Sequence, residues 1–197
     1  MTILCLPARV SGDEAARHFS RPRFGNLFGL LARPVRVATP ETPVRTPPFV
    51  EPLWMPAYGV CLHAVSSQGD RRVWTSIEAV CGEFSLFEGI DELAPREPDG
   101  DWFPPAISET QAAELARKGL LKYVISQRGQ LNKPVVDAVE ETRLYHFPIW
   151  VYYFRRQGRF LDIKVLDART GKSAGAKMRV AVLNALVAAK RSRQSTP

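Results

Sequence analysis

The sequence predicts an α+β fold of duplicated helix–antiparallel-hairpin units, forming two small sheets or one joined sheet, with a C-terminal helix. Three observations predict it. VSGDEAARHF and ISETQAAELA both start as capped helices, at Ser11 and Ser108. LARPV and LNKPV put Pro34 and Pro134 each at the entrance of a strand. LWMPAY…QG…AVCG matches LYHFPIW…QG…ARTG, aligning Gln68-Gly69 with Gln157-Gly158 and Gly82 with Gly171. Anchors that recur in one order are the signature of internal repetition. The expected units are 1–90 and 107–197, joined by an acidic, Pro-rich connector at 91–106.

The first helix is expected over 10–19. Ser11 is its N-cap, Asp13 and Glu14 favour its positive end, and Pro22 stops it. RPRFGNLFGLLARPVRV follows, with Phe24, Leu27, Phe28, Leu30 and Leu31 between arginines. Its glycines and short length favour a core-facing turn into a strand at Val35 to Val37 over an amphipathic surface helix. The Thr/Pro spacing of 39–48 reads as extended connector.

The first hairpin spans Leu53 to Gly82. With a short loop at Gln68-Gly69, Val60, Leu62, Ala64, Val73, Thr75 and Ile77 share a face. Between 83 and 105, Glu88, Asp91, Glu92, Glu97, Asp99 and Asp101 make the chain acidic, and four prolines make it a poor helix or strand. That acidity can neutralise arginines elsewhere in the molecule. Asp99 and Asp101 flank a Gly, but no Glu closes a calcium loop.

Ser108 and Gln111 form a capping box, and Ala112, Leu115, Ala116, Leu120 and Leu121 continue at helical spacing, with Gly119 as a weak point. Gly129 marks a turn. Val135 to Val139 and the run after Thr142 read as strands. The hairpin 144–171, LYHFPIWVYYFRRQGRFLDIKVLDARTG, turns at Gln157-Gly158. The same parity argument puts Trp150, Tyr152, Phe154, Leu161, Ile163 and Val165 on one face. Mapped onto the first hairpin, that face is Cys61, His63, Val65, Trp74 and Ser76. Either one register is slipped or both faces of the sheet are covered. A last helix, from about Ser173 to Arg191, carries Met178, Val182, Leu186 and Ala189 on one stripe, with Val180, Leu183 and Val187 beside it.

The chain has 197 residues, a net charge of +7 and three cysteines. The charge permits nucleic acid, an anionic surface or an acidic protein as partner, and equally plain solubility. Cys5, Cys61 and Cys81 form no metal-ligand spacing and read as reduced thiols. The opening MTILCLPARV lacks a basic region ahead of its apolar run, and no stretch reaches the ~20 apolar residues of a membrane span. The expected location is cytoplasmic.

Chemistry-bearing motifs are sparse. TGKSAG lies between strand and helix, but Leu166 stands where a phosphate-binding loop needs its first Gly. What remains is an anion site at Lys172 and Ser173, on an expected helix start. Cys61 and His63 share a strand face but have no evident orienting group for nucleophilic chemistry. No HExxH, GxSxG or paired-carboxylate motif occurs, so no enzyme, cofactor or metal is expected. Tyr153, Arg155, Arg156, Arg159 and Phe160, by contrast, interleave aromatic and cationic side chains around a hairpin tip. They are the expected binding residues. The primary ligand is a protein partner or a second copy of the chain. The alternative is single-stranded nucleic acid, whose bases stack on aromatics while arginines meet phosphates.

The order helix–strand–strand ending in VLDARTG resembles the PepSY-like module, a small α-β-β unit whose second strand ends in a D-x-x-T-G turn. Asp167, Thr170 and Gly171 carry the resemblance; in the first unit only Gly82 survives. Tyr145, Pro148 and Trp150 form a Y-x-x-P-x-W stretch similar to hairpins in uncharacterised bacterial proteins. The resemblance implies a non-catalytic binding, inhibitory or regulatory module, usually extracytoplasmic, a location against which the poor secretion signal of the opening residues counts.

Overall fold

The computed structural model describes residues 3–20, 34–44, 46–66, 69–126, 135–157 and 159–194. The apolar run 24–31, Gln68, the turn at Gly129, Pro134 and Gly158 lie outside them.

The chain is α+β; its described residues form one large, mostly antiparallel sheet and three helices, the last C-terminal. Two long strands form its spine: β3 (Phe49–Ser66) and β8 (Val135–Arg156), paired antiparallel from Phe49↔Tyr153 to Val65↔Val135. The two strands expected at 135–139 and after 142 are thus one. β4 (Gly69–Glu78) adds to the second half of β3, and β9 (Phe160–Asp167) adds to the second half of β8. Short strands complete the sheet: β1 (Ile3–Cys5), β2 (Arg36–Val37), β5 (Phe84–Leu86), β6 (Ala94–Arg96) and β7 (Asp101–Trp102). The sheet is therefore joined, and the acidic connector contributes β6 and β7 to it, against the expectation that its prolines would keep it out.

Prolines within a spine of paired strands need a reason, because Pro cannot donate to a ladder. In an antiparallel strand the N and C=O of one residue point to the same side. The carbonyls of Pro56 and Pro148 accept from Ala79 N–H (2.9 Å) and Ala168 N–H (3.2 Å), away from the β3–β8 ladder. Their missing N–H groups therefore cost that ladder nothing. The hairpin ladders begin one residue later, at Ala57↔Glu78 and Ile149↔Asp167.

Helix α1 (Gly12–Ser20) and helix α2 (Glu109–Ser126) lie on one face of the sheet. Each begins at its expected N-cap and closes a capping box, expected at Ser108 but not at Ser11: Glu14 accepts from Ser11 N–H, and Gln111 accepts from Ser108 N–H. Each buries a small residue, Ala15 or Ala112, so the backbone approaches the strands closely. α2 packs on Tyr58, Val60, Leu62 and Ile77 of the preceding hairpin. α1 packs on Val50, Trp150 and Leu166, mostly from the later one. Helix α3 (Ala176–Gln194) covers the opposite face, over Leu53, Met55, Ile149, Val151, Tyr153 and Ile163.

Contacts recur at the two hairpin ends. Gly82 and Gly171, both at positive φ, donate to the carbonyls of Glu78 and Asp167 at 2.9 Å. The Glu78 carboxylate accepts from Val80 and Cys81 N–H, and Asp167 Oδ1 accepts from Arg169 and Thr170 N–H. The Ala79 carbonyl accepts from Ala106 and Ile107 N–H, and that of Ala168 from Arg9 and Val10 N–H. Tyr58 OH donates to the Ile107 carbonyl, and Trp150 Nε1–H to that of Val10.

The face expected for the first hairpin is observed, with Val60↔Thr75 and Leu62↔Val73 in register. The face expected for the second is corrected. Arg156 pairs with Phe160, leaving a three-residue connection at 157–159 in place of two. That one-residue difference moves all of β9 to the other parity. Trp150, Tyr152 and Phe154 share their face with Leu166, Lys164 and Asp162, whereas Ile163 and Val165 lie with Tyr153 and Val151.

Candidate functional site

The second hairpin presents different chemistry on its two faces and at its tip. On the α1 face, Phe19, Tyr152 and Phe154 form a ladder of near-parallel rings. Phe19 and Tyr152 lie 4.8 Å apart at 11°, and Tyr152 and Phe154 5.5 Å apart at 10°. Lys164 Nζ stands 4.8 Å from the Phe154 centroid and 5.9 Å from that of Tyr152. All four side chains are half-buried. The arrangement follows from strand geometry, since residues two apart share a face and Lys164 pairs directly with Tyr152.

On the α3 face Tyr153 is core, only 8% exposed. Its ring stacks on Phe49 at 4.7 Å and its hydroxyl donates to Glu51. Burial raises the Tyr153 phenol, helped by the neighbouring Glu51 charge. Burial likewise raises the Glu51 carboxyl, against the lowering effect of the Tyr153 hydrogen bond. Tyr153 is therefore not exposed together with the arginines that follow it.

At the tip, Arg155, Arg156 and Arg159 are exposed, Phe160 is 69% exposed and Leu161 62%. Gln157 turns the chain at φ 51°, in the left-handed region. Arg156, Gln157, Phe160, Leu161 and Asp162 line a shallow pocket with Arg179 of α3. The Asp162 carboxylate accepts from its neighbour Ile163 N–H at 2.7 Å and pairs with Arg179. That caps a donor on the open edge of β9, a device that discourages strand addition there. Sequence reasoning thus brings Arg155, Arg156, Arg159 and Phe160 to one place, and misses Arg179, Leu161 and the Phe19–Lys164 ladder. The parity error hid Leu161, and only tertiary packing brings Arg179 and Phe19 to the hairpin.

Lys172 and Ser173 do not stand at a helix start. α3 begins at Ala176, and Ser173 pairs in a bridge with Leu166 while its hydroxyl meets His18 Nε2 at 3.0 Å. Lys172 is exposed, and its carbonyl accepts from Asp167 N–H. The D-x-x-T-G turn is closed by its own side chains, as described above, and Arg169 is drawn to Glu92 (2.7 Å). Glu92 also takes Arg9 at 2.8 Å, so the acidic connector does neutralise arginines of the same molecule.

Two further groups lie at the far end of the sheet. Bulges opposite Cys61/Leu62 and His63/Ala64 leave Glu140 and Asp137 of β8 without a partner in the β3 register. Glu140 accepts from the Cys61 thiol (3.6 Å) and pairs with Arg72 (2.6 Å). His63 has Asp70 3.6 Å from Nε2 and Asp137 3.5 Å from Nδ1. Burial pushes the Cys61 thiol up, and the Glu140 hydrogen bond adds to the effect. A thiol held protonated and donating is a poor nucleophile. Among the described residues, no group of three or more His, Cys, Asp or Glu side chains is placed to hold a metal ion. Nor is any helix among them long and apolar enough to cross a membrane.

No family model matches this chain, and no curated protein or solved structure matches it either.

Proposed function

We propose that the chain is a duplicated pair of helix–hairpin units acting as a non-catalytic protein-binding or assembly subunit, with the tip of hairpin 144–171 as its contact surface. The observation that carries the binding reading is the solvent exposure of Phe160 and Leu161, framed by Arg156 and Arg179. A large aromatic held in water beside arginines is the composition of an interaction hot spot. The matched turn, carbonyl and indole/phenol hydrogen bonds at the two hairpin ends support the duplication. The PepSY-like order of elements and the reduced, cytoplasmic setting belong to the same proposal; the three cysteines are free, Cys5 and Cys61 buried and Cys81 exposed.

Light scattering and affinity capture with the whole chain test it. Capture of a defined partner, or self-association, is expected to be lost in Phe160→Asp/Leu161→Asp while the melting temperature holds. A monomer that captures nothing, or capture indifferent to both substitutions, overturns it.

A second reading is favoured by the Phe19–Tyr152–Phe154 ladder and Lys164, the residue types of a single-strand nucleic-acid surface. Binding to single-stranded oligonucleotide should then fall steeply with salt and weaken in Arg155→Ala/Arg156→Ala. Absence of binding at low salt ends that reading.

A further inference from the structure

The tip of hairpin 144–171 also carries the chemistry of what it contacts. Arg155 pairs across the hairpin with Leu161, and Arg156 with Phe160. Neighbouring residues of a strand point to opposite faces, so each face of the tip offers one exposed apolar side chain beside one arginine. Arg159 adds a third exposed cation at the turn. The carboxylate closest to them in sequence, Asp162, is already held by Arg179 and by Ile163 N–H. Every Asp and Glu of the sequence lies among the described residues, and none of them pairs with these three arginines. Uncompensated like charges at one exposed tip make a positive field that an anionic partner relieves.

Strand addition is not the mode of contact. On the outer edge of β9 the Asp162 carboxylate takes Ile163 N–H, and the Val165 carbonyl accepts from Ala174 N–H. Contact is left to side chains, and Phe160 and Leu161 both line the shallow pocket at the tip. A bilayer would receive the apex first, and the apex is Gln157, Gly158 and Arg159, which would carry a guanidinium deeper than either apolar side chain. A nucleic-acid strand stacks its bases on flat rings; Leu161 offers none, and Tyr153 is buried. A second copy laid tip to tip would set arginines against arginines. A protein carboxylate, by contrast, meets a guanidinium through two parallel hydrogen bonds, and an apolar side chain of the same segment covers Phe160 and Leu161.

We infer that the tip docks an acidic segment of another protein, with an apolar side chain seated in the pocket lined by Phe160 and Leu161 and flanking Asp or Glu side chains on Arg155, Arg156 and Arg159. This rests on the reading of the tip as a contact surface and adds the class of partner.

The test uses the whole chain and a labelled, Glu-rich synthetic peptide with Leu at its centre. One control peptide replaces Leu by Ser and keeps the charge; another replaces Glu by Gln and keeps Leu. The acidic, Leu-containing peptide alone is expected to raise fluorescence anisotropy, less so as salt rises. Its affinity should fall about tenfold or more in Arg155→Gln/Arg156→Gln/Arg159→Gln and in Phe160→Ser/Leu161→Ser. Equal binding of either control, or an unchanged affinity in the arginine variant, overturns the inference. So does binding of single-stranded oligonucleotide or of phosphatidylserine vesicles that depends on these arginines while the acidic peptide fails. Arg159→Gln alone, at the turn, provides a second variant should the triple substitution lower the melting temperature. A photo-crosslinker at position 160 separates the two readings in the native host. No crosslinked band ends the contact-surface reading and this inference with it. A band that persists unchanged in the arginine variant leaves the contact surface standing and overturns its acidic partner alone.

Discussion

Gly119 sits inside α2, where helix propensity alone favours Ala by about 1 kcal/mol. The structure predicts the opposite sign for Gly119→Ala. A Cβ at that position would lie 2.2 Å from Phe84 Cδ2, 2.4 Å from Cγ and 2.9 Å from Cβ. Carbon atoms prefer separations near ~3.5–4.0 Å, so the overlap exceeds an ångström at the root of the Phe84 side chain. Turning the Phe84 side chain about its Cα–Cβ bond moves Cδ2 and Cγ but not Cβ, so α2 or β5 must shift. Overpacking of this kind costs about 1–3 kcal/mol, which outweighs or at least cancels the gain in propensity. Urea unfolding of Gly119→Ala should therefore show a lower midpoint at unchanged slope. In a Phe84→Ala background only the Cβ contact remains, so the same substitution should become neutral or stabilising, with a coupling of about 1 kcal/mol or more. A Gly119→Ala variant ~1 kcal/mol more stable than wild type, with no coupling to Phe84, would refute the packing described here.

Other predictions concern buried polar groups. Glu51 titrates above the ordinary 4.5, chiefly because it is buried. Its stabilising contribution is therefore full below that value and lost as pH rises through the folded pKa. The stability of Glu51→Gln should lack this decline when both proteins are unfolded in urea across pH 4 to 8. His146 is shifted the other way, below 6.5, by burial, while its Nε2 meets the Phe103 carbonyl at 2.9 Å. Its contribution is full above about 6.5 and lost as pH falls through that value toward the folded pKa, and His146→Gln should flatten that slope. Asp167→Ala removes the acceptor of two backbone N–H groups and should destabilise by about 1–3 kcal/mol in thermal melts, with no effect on partner capture.

Much of the fold was legible because local signals agreed with tertiary demand. The capping boxes at Ser11 and Ser108 start helices where expected, and the alternation of Val60, Leu62, Thr75 and Ile77 gave the face that α2 covers. Residues 94–96 and 101–102 were misjudged because edge strands tolerate the prolines and charges that argue against central ones. The second hairpin's face was misassigned through a single residue of loop length, the least visible quantity in a sequence and the one that sets parity. The tip arginines and Phe160 were legible as a cluster because hairpin geometry alone gathers them. Tyr153 was not legible as core, since adjacent tyrosines look alike until α3 is known to cover only one face. The exposed stripe of α3, Val180, Leu183 and Val187, was present in the sequence beside the buried one. Its exposure depended on which stripe the sheet claimed, and that is a tertiary choice.

The claim that the hairpin tip is a contact surface is tested most directly by site-specific photo-crosslinking in the native host. A benzophenone amino acid is placed in the whole chain at position 160 and, as an exposure-matched apolar control, at position 121 of α2, where Leu121 is 52% exposed. The predicted result is a discrete crosslinked band from position 160 and none from 121. A band of equal strength from both positions, or none from 160, would contradict the claim.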